Sequence, residues 1–399
     1  MGFPLYIAKR YLFTKSSNNA INIITLIATL GVIVGAIALF IVLSVFSGLK
    51  KFSLDFIRIS DPDLKISAQR GKSFFINDSI VTMLQDEKVA HYSKVVEERA
   101  FFEYKDKSHI ASIKGVDANY LLVNNMDTAI YAGEWLDANA ISTVVIGRSI
   151  SSALSLGTYD FIESLKVYVP KPGKGYTNNP KTAFNQLNLQ PIGIFSLTEE
   201  LDKKYVFSHL LLVQSLLNYK PNQISAIELK LMPTADKNTV KQELQMKLGD
   251  DFKIETREQL NAAFYKMLNS ENLAFYLIFT LILIIALFNV VGAIIMMILD
   301  KKENLKTLFS LGATLKEIKR IFIFQGFLLT FFGLIIGLFL AISFVFLQEK
   351  FEFIMITPSL AYPIEFRIVN VIIVFITIIS LGYLAALIAS SRISTKIIQ

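Results

Sequence analysis

The chain of 399 residues contains no cysteine. That absence removes disulfide bridges, zinc–thiolate centres and cysteine nucleophiles together. Charge is scarce as well: 18% of residues are Asp, Glu, Lys or Arg, against about a quarter in an ordinary soluble domain. The three histidines, His91, His109 and His209, have no metal-type spacing and are expected to be structural or on the surface. Nucleotide signatures are missing too. "RGKS" (Arg70–Ser73) has the ending of a phosphate-binding loop, but position 66 is Ile and the following "FFIND" reads as extended, not as the required glycine and helix. Carboxylates are scattered outside the apolar runs, so no acid–base pair stands out. By itself the chain is expected to be neither an enzyme nor a cofactor binder.

What is present is apolar surface, with 53% hydrophobic residues and mean hydropathy +0.49. Four runs, Ile23–Gly48, Asn272–Leu299, Ile321–Leu347 and Ile368–Ser391, each reach the roughly 20 residues that span a bilayer core of about 30 Å. The first is too long for a signal-peptide core and lacks a small-residue cleavage pattern, so it is expected to be a retained helix. The net charge of +7 lies largely beside these runs, and no nucleic-acid motif accompanies it, so nucleic acid is not an expected partner. Lys9, Arg10 and Lys15 precede the first run, six Lys/Arg lie between the second and third, and Arg392 and Lys396 follow the fourth. The positive-inside rule then puts residues 1–22, 300–320 and 392–399 in the cytoplasm. Residues 49–271 and 348–367 are expected outside.

The expected fold is a four-helix membrane protein with an α+β extracytoplasmic domain between helices one and two. "DLKIS", "HIASIKGV", "STVVIG", "LKVYV", "PIGIF", "SAIELKLM" and "FKIET" read as strands. Ile150–Leu156 and Ala235–Leu248 read as helices. "VPKPGKGYTNNPKTAFNQ" (Val169–Gln186) is dense in Pro, Gly, Asn and Lys and reads as an exposed loop. A split into an outer part and an inserted subdomain is expected. "TREQ" (Thr256–Gln259) is a capping box, predicting one helix from Arg257 to Leu299, about 64 Å long. The first run is predicted to stay helical until Asp61-Pro62 stops it.

The segment Leu299–Arg320, "LDKKENLKTLFSLGATLKEIKR", is charged between two uncharged runs. Leu305, Leu308 and Phe309 share one face of a short helix, Gly312 supplies its stop, and "TLKE" (Thr314–Glu317) is a second capping box. A solvated loop needs no apolar stripe, so a docked partner is the expected reading. Gly31/Gly35, Ser44/Gly48 and Gly333/Gly337/Ala341 permit close helix approach, either within the chain or between subunits. Asn289 is expected to be buried and bonded across to another helix. With no charge inside the runs, an ion or proton relay is not expected.

"RYLFTKSSNNAINIITLIATLGVIVGAIALFIVLSVFSGL" (Arg10–Leu49) and "MILDKKENLKTLFSLGATLKEIKRIFIFQG" (Met297–Gly326) resemble the permease subunits of the lipoprotein-releasing (Lol) ABC transporter, the LolC/LolE family. The one-plus-three layout of the runs agrees. The resemblance implies an inner-membrane permease with a MacB-like periplasmic core and inserted subdomain. It implies a separate LolD-like ATPase that binds the ATP and docks at Glu303, Asn304, Leu305, Leu308 and Gly312. A second permease, identical or paralogous, would enclose the acyl chains of a lipoprotein. The matching positions are Val42, Val45, Phe46 and Leu49, with Met267, Leu268, Phe275 and Leu277 opposite; ordinary lipid-facing packing is the alternative for each. A LolA-like carrier chaperone would be recruited by a Pro-rich hook, for which Pro170, Lys171, Pro172, Gly173, Lys174, Gly175 and Tyr176 are the candidates. Two rivals are a related permease exporting a small molecule or peptide, and a transmembrane regulator of a cell-wall hydrolase.

Overall fold

The computed structural model describes residues 3–13, 19–137, 140–159, 163–171, 183–357 and 360–393. They divide into two compact units, Met1–Phe52 with Lys266–Gln399, and Ser53–Tyr265.

The first unit is helical. Its apolar runs become the helices Asn19–Ser60, Ala262–Asp300, Leu315–Phe351 and Ile368–Ser391, called here the first to fourth span helices. All four are long and apolar enough to cross a membrane. Small residues set their contacts. A Cβ on Gly337 would fall 2.7 Å from the Ala36 Cβ and 2.8 Å from the Ile33 carbonyl oxygen, and one on Gly333 would lie 3.0 Å from Val32. These two glycines therefore let the third span helix lie against the first. Gly31 and Gly35 face Ala286 and Leu283 of the second span helix. The small-residue repeats are thus used inside the chain.

Asn289 departs from expectation. Leu283, Leu287, Val290, Ala293, Ile294 and Met297 form the buried face of the second span helix, and Asn289 falls off that arc. Its amide is exposed beside Phe288 and has no hydrogen-bond partner among the described residues. The predicted unbroken helix from Arg257 is also interrupted. Residues Arg257–Leu260 form one turn, Asn261 leaves helical geometry at φ −111° and ψ 30°, and the long helix begins at Ala262. The capping box at Thr256 and Gln259 forms as expected, but it caps the short turn. The first span helix does run to Ser60.

The second unit is α/β, built on a ten-stranded mixed sheet. In spatial order the strands are Phe252–Thr256, Leu64–Ala68, Ala226–Leu231, Val89–Tyr104, Lys107–Val116, Tyr205–His209, Thr143–Gly147, Phe184–Phe195 and Ile130–Gly133; Leu165–Pro170 pairs with both Val89–Tyr104 and Phe184–Phe195. Two neighbouring pairs are parallel, Lys107–Val116 with Tyr205–His209 and Thr143–Gly147 with Phe184–Phe195. Strands from the whole unit join this one sheet. Val89–Tyr104, 16 residues long, pairs with Ala226–Leu231 through its first half and with Lys107–Val116 from Val95 onward. It therefore runs through both halves. Leu64, Ile66, Phe102, Ile113, Val144, Ile146 and Val206 belong to the main core.

A buried ion pair lies inside this sheet. Lys114 and Glu228 pair at 2.7 Å with side chains 5% and 1% exposed, and Asn124 donates to the second Glu228 oxygen at 2.7 Å. Burial disfavours the Lys114 ammonium, but the Glu228 carboxylate outweighs it and holds the group well above the usual lysine range. The Tyr120 ring lies 5.0 Å from the same nitrogen.

Two stability outcomes follow from these contacts. Lys114→Met should cost about 3–5 kcal/mol because it strands the buried carboxylate, whereas adding Glu228→Leu should recover most of the loss. Gly337→Ala should cost about 1–3 kcal/mol through overpacking. Gly31→Ala, whose new Cβ would sit 3.8 Å from that of Ala286, should be tolerated. Thermal melting of the full chain in detergent measures all four.

Candidate coupling surface

Between the second and third span helices lies a short helix, Lys302–Ser310. Its ends are built by local rules. Glu303 stands in the first turn, where a carboxylate suits the positive end of the helix dipole. At the other end Gly312 takes φ 98°, a conformation that costs a side-chain-bearing residue more than glycine. Its N–H donates to the Phe309 carbonyl at 3.0 Å and the Ala313 N–H to the Leu308 carbonyl at 3.0 Å, the paired bonds of a Schellman stop. The chain restarts two residues later. The Glu317 N–H donates to the Thr314 hydroxyl at 3.3 Å, and the Glu317 carboxylate accepts from the Thr314 N–H at 2.8 Å. Stop and restart together hold the helix at a fixed place between two long ones.

Its faces are divided differently from the sequence reading. Leu305 is fully buried and Leu308 half-buried, both against the helical core that includes Met297, Ile298 and Ile318. The i, i+3 pair therefore fastens the short helix to its own spans. Solvent is met by Glu303, Asn304, Phe309, Leu311 and Gly312, with Phe309 40% and Leu311 79% exposed. Periodicity identified an apolar face but not what it packs against. Leu311 is missed by the sequence reading because it follows the last helical residue, outside the periodic pattern.

Of the residues assigned to an acyl cavity, Val42, Val45, Phe46 and Leu49 are half-buried on the first span helix. On the second, Leu268 is half-buried while Met267, Phe275 and Leu277 are exposed. The Phe46 and Phe275 rings meet at 4.4 Å, and Lys50 donates to Asn269 at 3.1 Å beside Leu49 and Leu268. The two helices thus approach through part of this set. Among the hook residues, Pro170 ends the strand Leu165–Pro170 opposite Phe184, and the Lys171 N–H donates to the Ala183 carbonyl at 2.9 Å. The strands that flank the hook segment in the chain are thus antiparallel neighbours. Pro172, Gly173, Lys174, Gly175 and Tyr176 lie outside the described residues.

A second junction has no counterpart in the sequence reading, where Asp61-Pro62 counted only as a helix stop. Arg257 donates to the Asp61 carbonyl at 3.0 Å and to the Asp63 carboxylate at 2.9 Å. The Asn261 amide reaches the Asp61 carboxylate at 2.6 Å. Burial pushes the Asp61 carboxyl above its ordinary range, opposed by that amide bond. Within the α/β unit, the residues that end the first long helix are bolted to those that precede the second. Partners about 200 positions apart leave no local signal.

The family model described as "MacB-like periplasmic core domain" matches residues 25–247, more than half of the chain, and that described as "FtsX-like permease C-terminal" matches residues 276–397. The Buchnera aphidicola "Lipoprotein-releasing system transmembrane protein LolC" is 24% identical, covering 96% of this chain and 94% of that protein. The Haemophilus influenzae protein named LolE is 24% identical, covering 98% and 97%. Among solved structures, the periplasmic region of MacB from Actinobacillus actinomycetemcomitans is 14% identical and covers 51% of this chain and 92% of that one, with TM-score 0.36. The chain belongs to the ABC-type permease family built from a MacB-like periplasmic core domain and an FtsX-like C-terminal segment, and over nearly its whole length it is similar to the lipoprotein-releasing proteins LolC and LolE.

Proposed function

We propose that this chain is the permease subunit of a complex that takes acylated lipoproteins out of the inner membrane and passes them to a periplasmic carrier. A separate cytoplasmic ATPase binds the ATP and supplies the work. The observation that carries this reading is the helix Lys302–Ser310, fixed to the bundle through Leu305, with Phe309 on it and Leu311 just after it turned outward. Exposed apolar side chains in a strongly charged connection suit a protein partner better than water. Six Lys/Arg in that connection favour the cytoplasmic side, where an ATPase resides. In this reading both termini are cytoplasmic and the α/β unit is periplasmic.

The cargo is inferred from the relatives, whose printed names describe lipoprotein release. The apolar positions on the first and second span helices, around Phe46 and Phe275, are then the wall that receives acyl chains. The Pro- and Gly-rich segment after Pro170 is the element for recruiting a carrier chaperone. ATP-driven movement at Lys302–Ser310 would pass into the second span helix, which in the chain follows the Arg257–Asp61–Asp63 junction.

A second permease, identical or paralogous, is needed to close such a wall. Asn289 supports it: an amide exposed among apolar residues of a membrane-crossing helix is expected to find a polar partner on a neighbouring helix.

Phe309→Asp or Leu311→Asp should weaken co-purification of the ATPase at least about tenfold, roughly 1.4 kcal/mol, while the melting temperature in detergent stays unchanged. Retained ATPase binding in both would refute the docking assignment. Leu308→Asp is a poorer probe because it also disturbs the bundle. Asn289→Leu should weaken pairing of two permeases by about 0.6–2 kcal/mol, read as a shift in the monomer–dimer balance by native mass spectrometry. No shift would remove Asn289 from that interface.

A further inference from the structure

The third and fourth span helices are joined by a hairpin that the proposed coupling does not use. The third span helix ends at Phe351, and Glu352 takes left-handed backbone at φ 50°. Met355–Thr357 and Leu360–Ala361 then pair as an antiparallel two-stranded ribbon. The base of the ribbon is firmly held. The buried Gln348 amide accepts from the Ile354 N–H at 3.0 Å and donates to the Ile354 carbonyl at 2.9 Å. The Tyr362 N–H reaches the same carbonyl at 2.8 Å, and the Phe366 N–H donates to Glu349 at 2.9 Å.

Despite this order, the side chains point outward. Phe351, Phe353, Ile354, Met355 and Ile356 are each at least 42% exposed. A connection facing water would be expected to carry polar residues here, and a continuous apolar patch of this kind marks a binding surface. Two observations choose the occupant. The patch continues the exposed face of the third span helix, whose last turns carry Phe346 and Leu347 at 52% and 47% exposure. The ribbon is also collared by exposed Glu349, Lys350, Glu352 and Arg367. The backbone then sets the depth. A two-stranded ribbon leaves its outward N–H and C=O groups unpaired, and such an edge is not tolerated within hydrocarbon. The head-group and acyl-chain boundary meets both demands, because apolar side chains enter it by about 5–10 Å while the backbone stays hydrated.

We propose that this hairpin is a lipid-surface anchor, seated in the head-group layer of the leaflet remote from the coupling helix. The third span helix, 37 residues long and so about 55 Å end to end, separates the two. Anchoring its far end fixes the height of that helix, so that a push at Lys302–Ser310 is resisted by the membrane. The inference rests on the four helices crossing a bilayer, not on the identity of the cargo.

The absence of cysteine makes the test direct. Single cysteines at Met355 or Ile356 in the full chain carry an environment-sensitive fluorophore, in vesicles of phosphatidylethanolamine and phosphatidylglycerol. Labels at Met246, 78% exposed in the α/β unit, and at Leu281, 59% exposed on the second span helix, give the aqueous and hydrocarbon references. The hairpin labels should emit between the two references. A nitroxide near the lipid head group should quench them more than one near the chain end, and iodide should quench them little. Emission like that at Met246, deep quenching like that at Leu281, or blue-shifted emission without lipid quenching would each overturn the anchor; the last would mean that protein covers the patch. Absence of lipid quenching at Leu281 would overturn it together with its premise.

Discussion

The cost of placing charge in a bilayer governs this molecule. One Lys, Arg or Asp at the centre of a membrane helix costs about 2.5–3.5 kcal/mol, and the four apolar runs contain none. Charged groups are therefore displaced to the helix ends and connections. The strongest case is the stretch between the second and third span helices. Its charge confines it to the membrane surface, the Gly312 stop and the Thr314 restart fix its shape, and buried Leu305 holds it to the bundle. What remains outward, Phe309 and Leu311, is a small apolar surface on a rigid mount.

The proposed coupling places its weight on the long helices rather than on any chemistry within the apolar runs. The charged residues of the long helices lie toward their ends, outside the four apolar runs. The first runs 42 residues and the second 39, each longer than a bilayer requires. In the α/β unit, Arg257 binds Asp61 and Asp63 while the helix breaks at Asn261.

Features that rest on local rules were legible in the sequence: the four apolar runs, the capping boxes at Thr256 and Thr314, the glycine stop at Gly312, and seven strands with apolar patterning. Features that depend on the far side of a contact were not. Leu305 and Leu308 announce a face by their spacing, yet only packing shows that the face is turned to the chain's own spans. Asn289 looked like a buried amide because it sits in an apolar run, but the side of the helix it occupies is set by its neighbours' burial. Lys114 and Glu228 meet across 114 positions, which no periodicity records. The strand Val89–Tyr104 was missed because its central Glu97, Glu98 and Arg99 interrupt the apolar alternation.

The central claim is that this chain converts work received at the membrane surface into release of acylated proteins. Its most direct test is depletion of the chain in its own cells, followed by fractionation of lipoproteins between the two membranes. The account predicts that lipoproteins normally destined for the outer membrane accumulate in the inner membrane. Unchanged sorting after full depletion would contradict it.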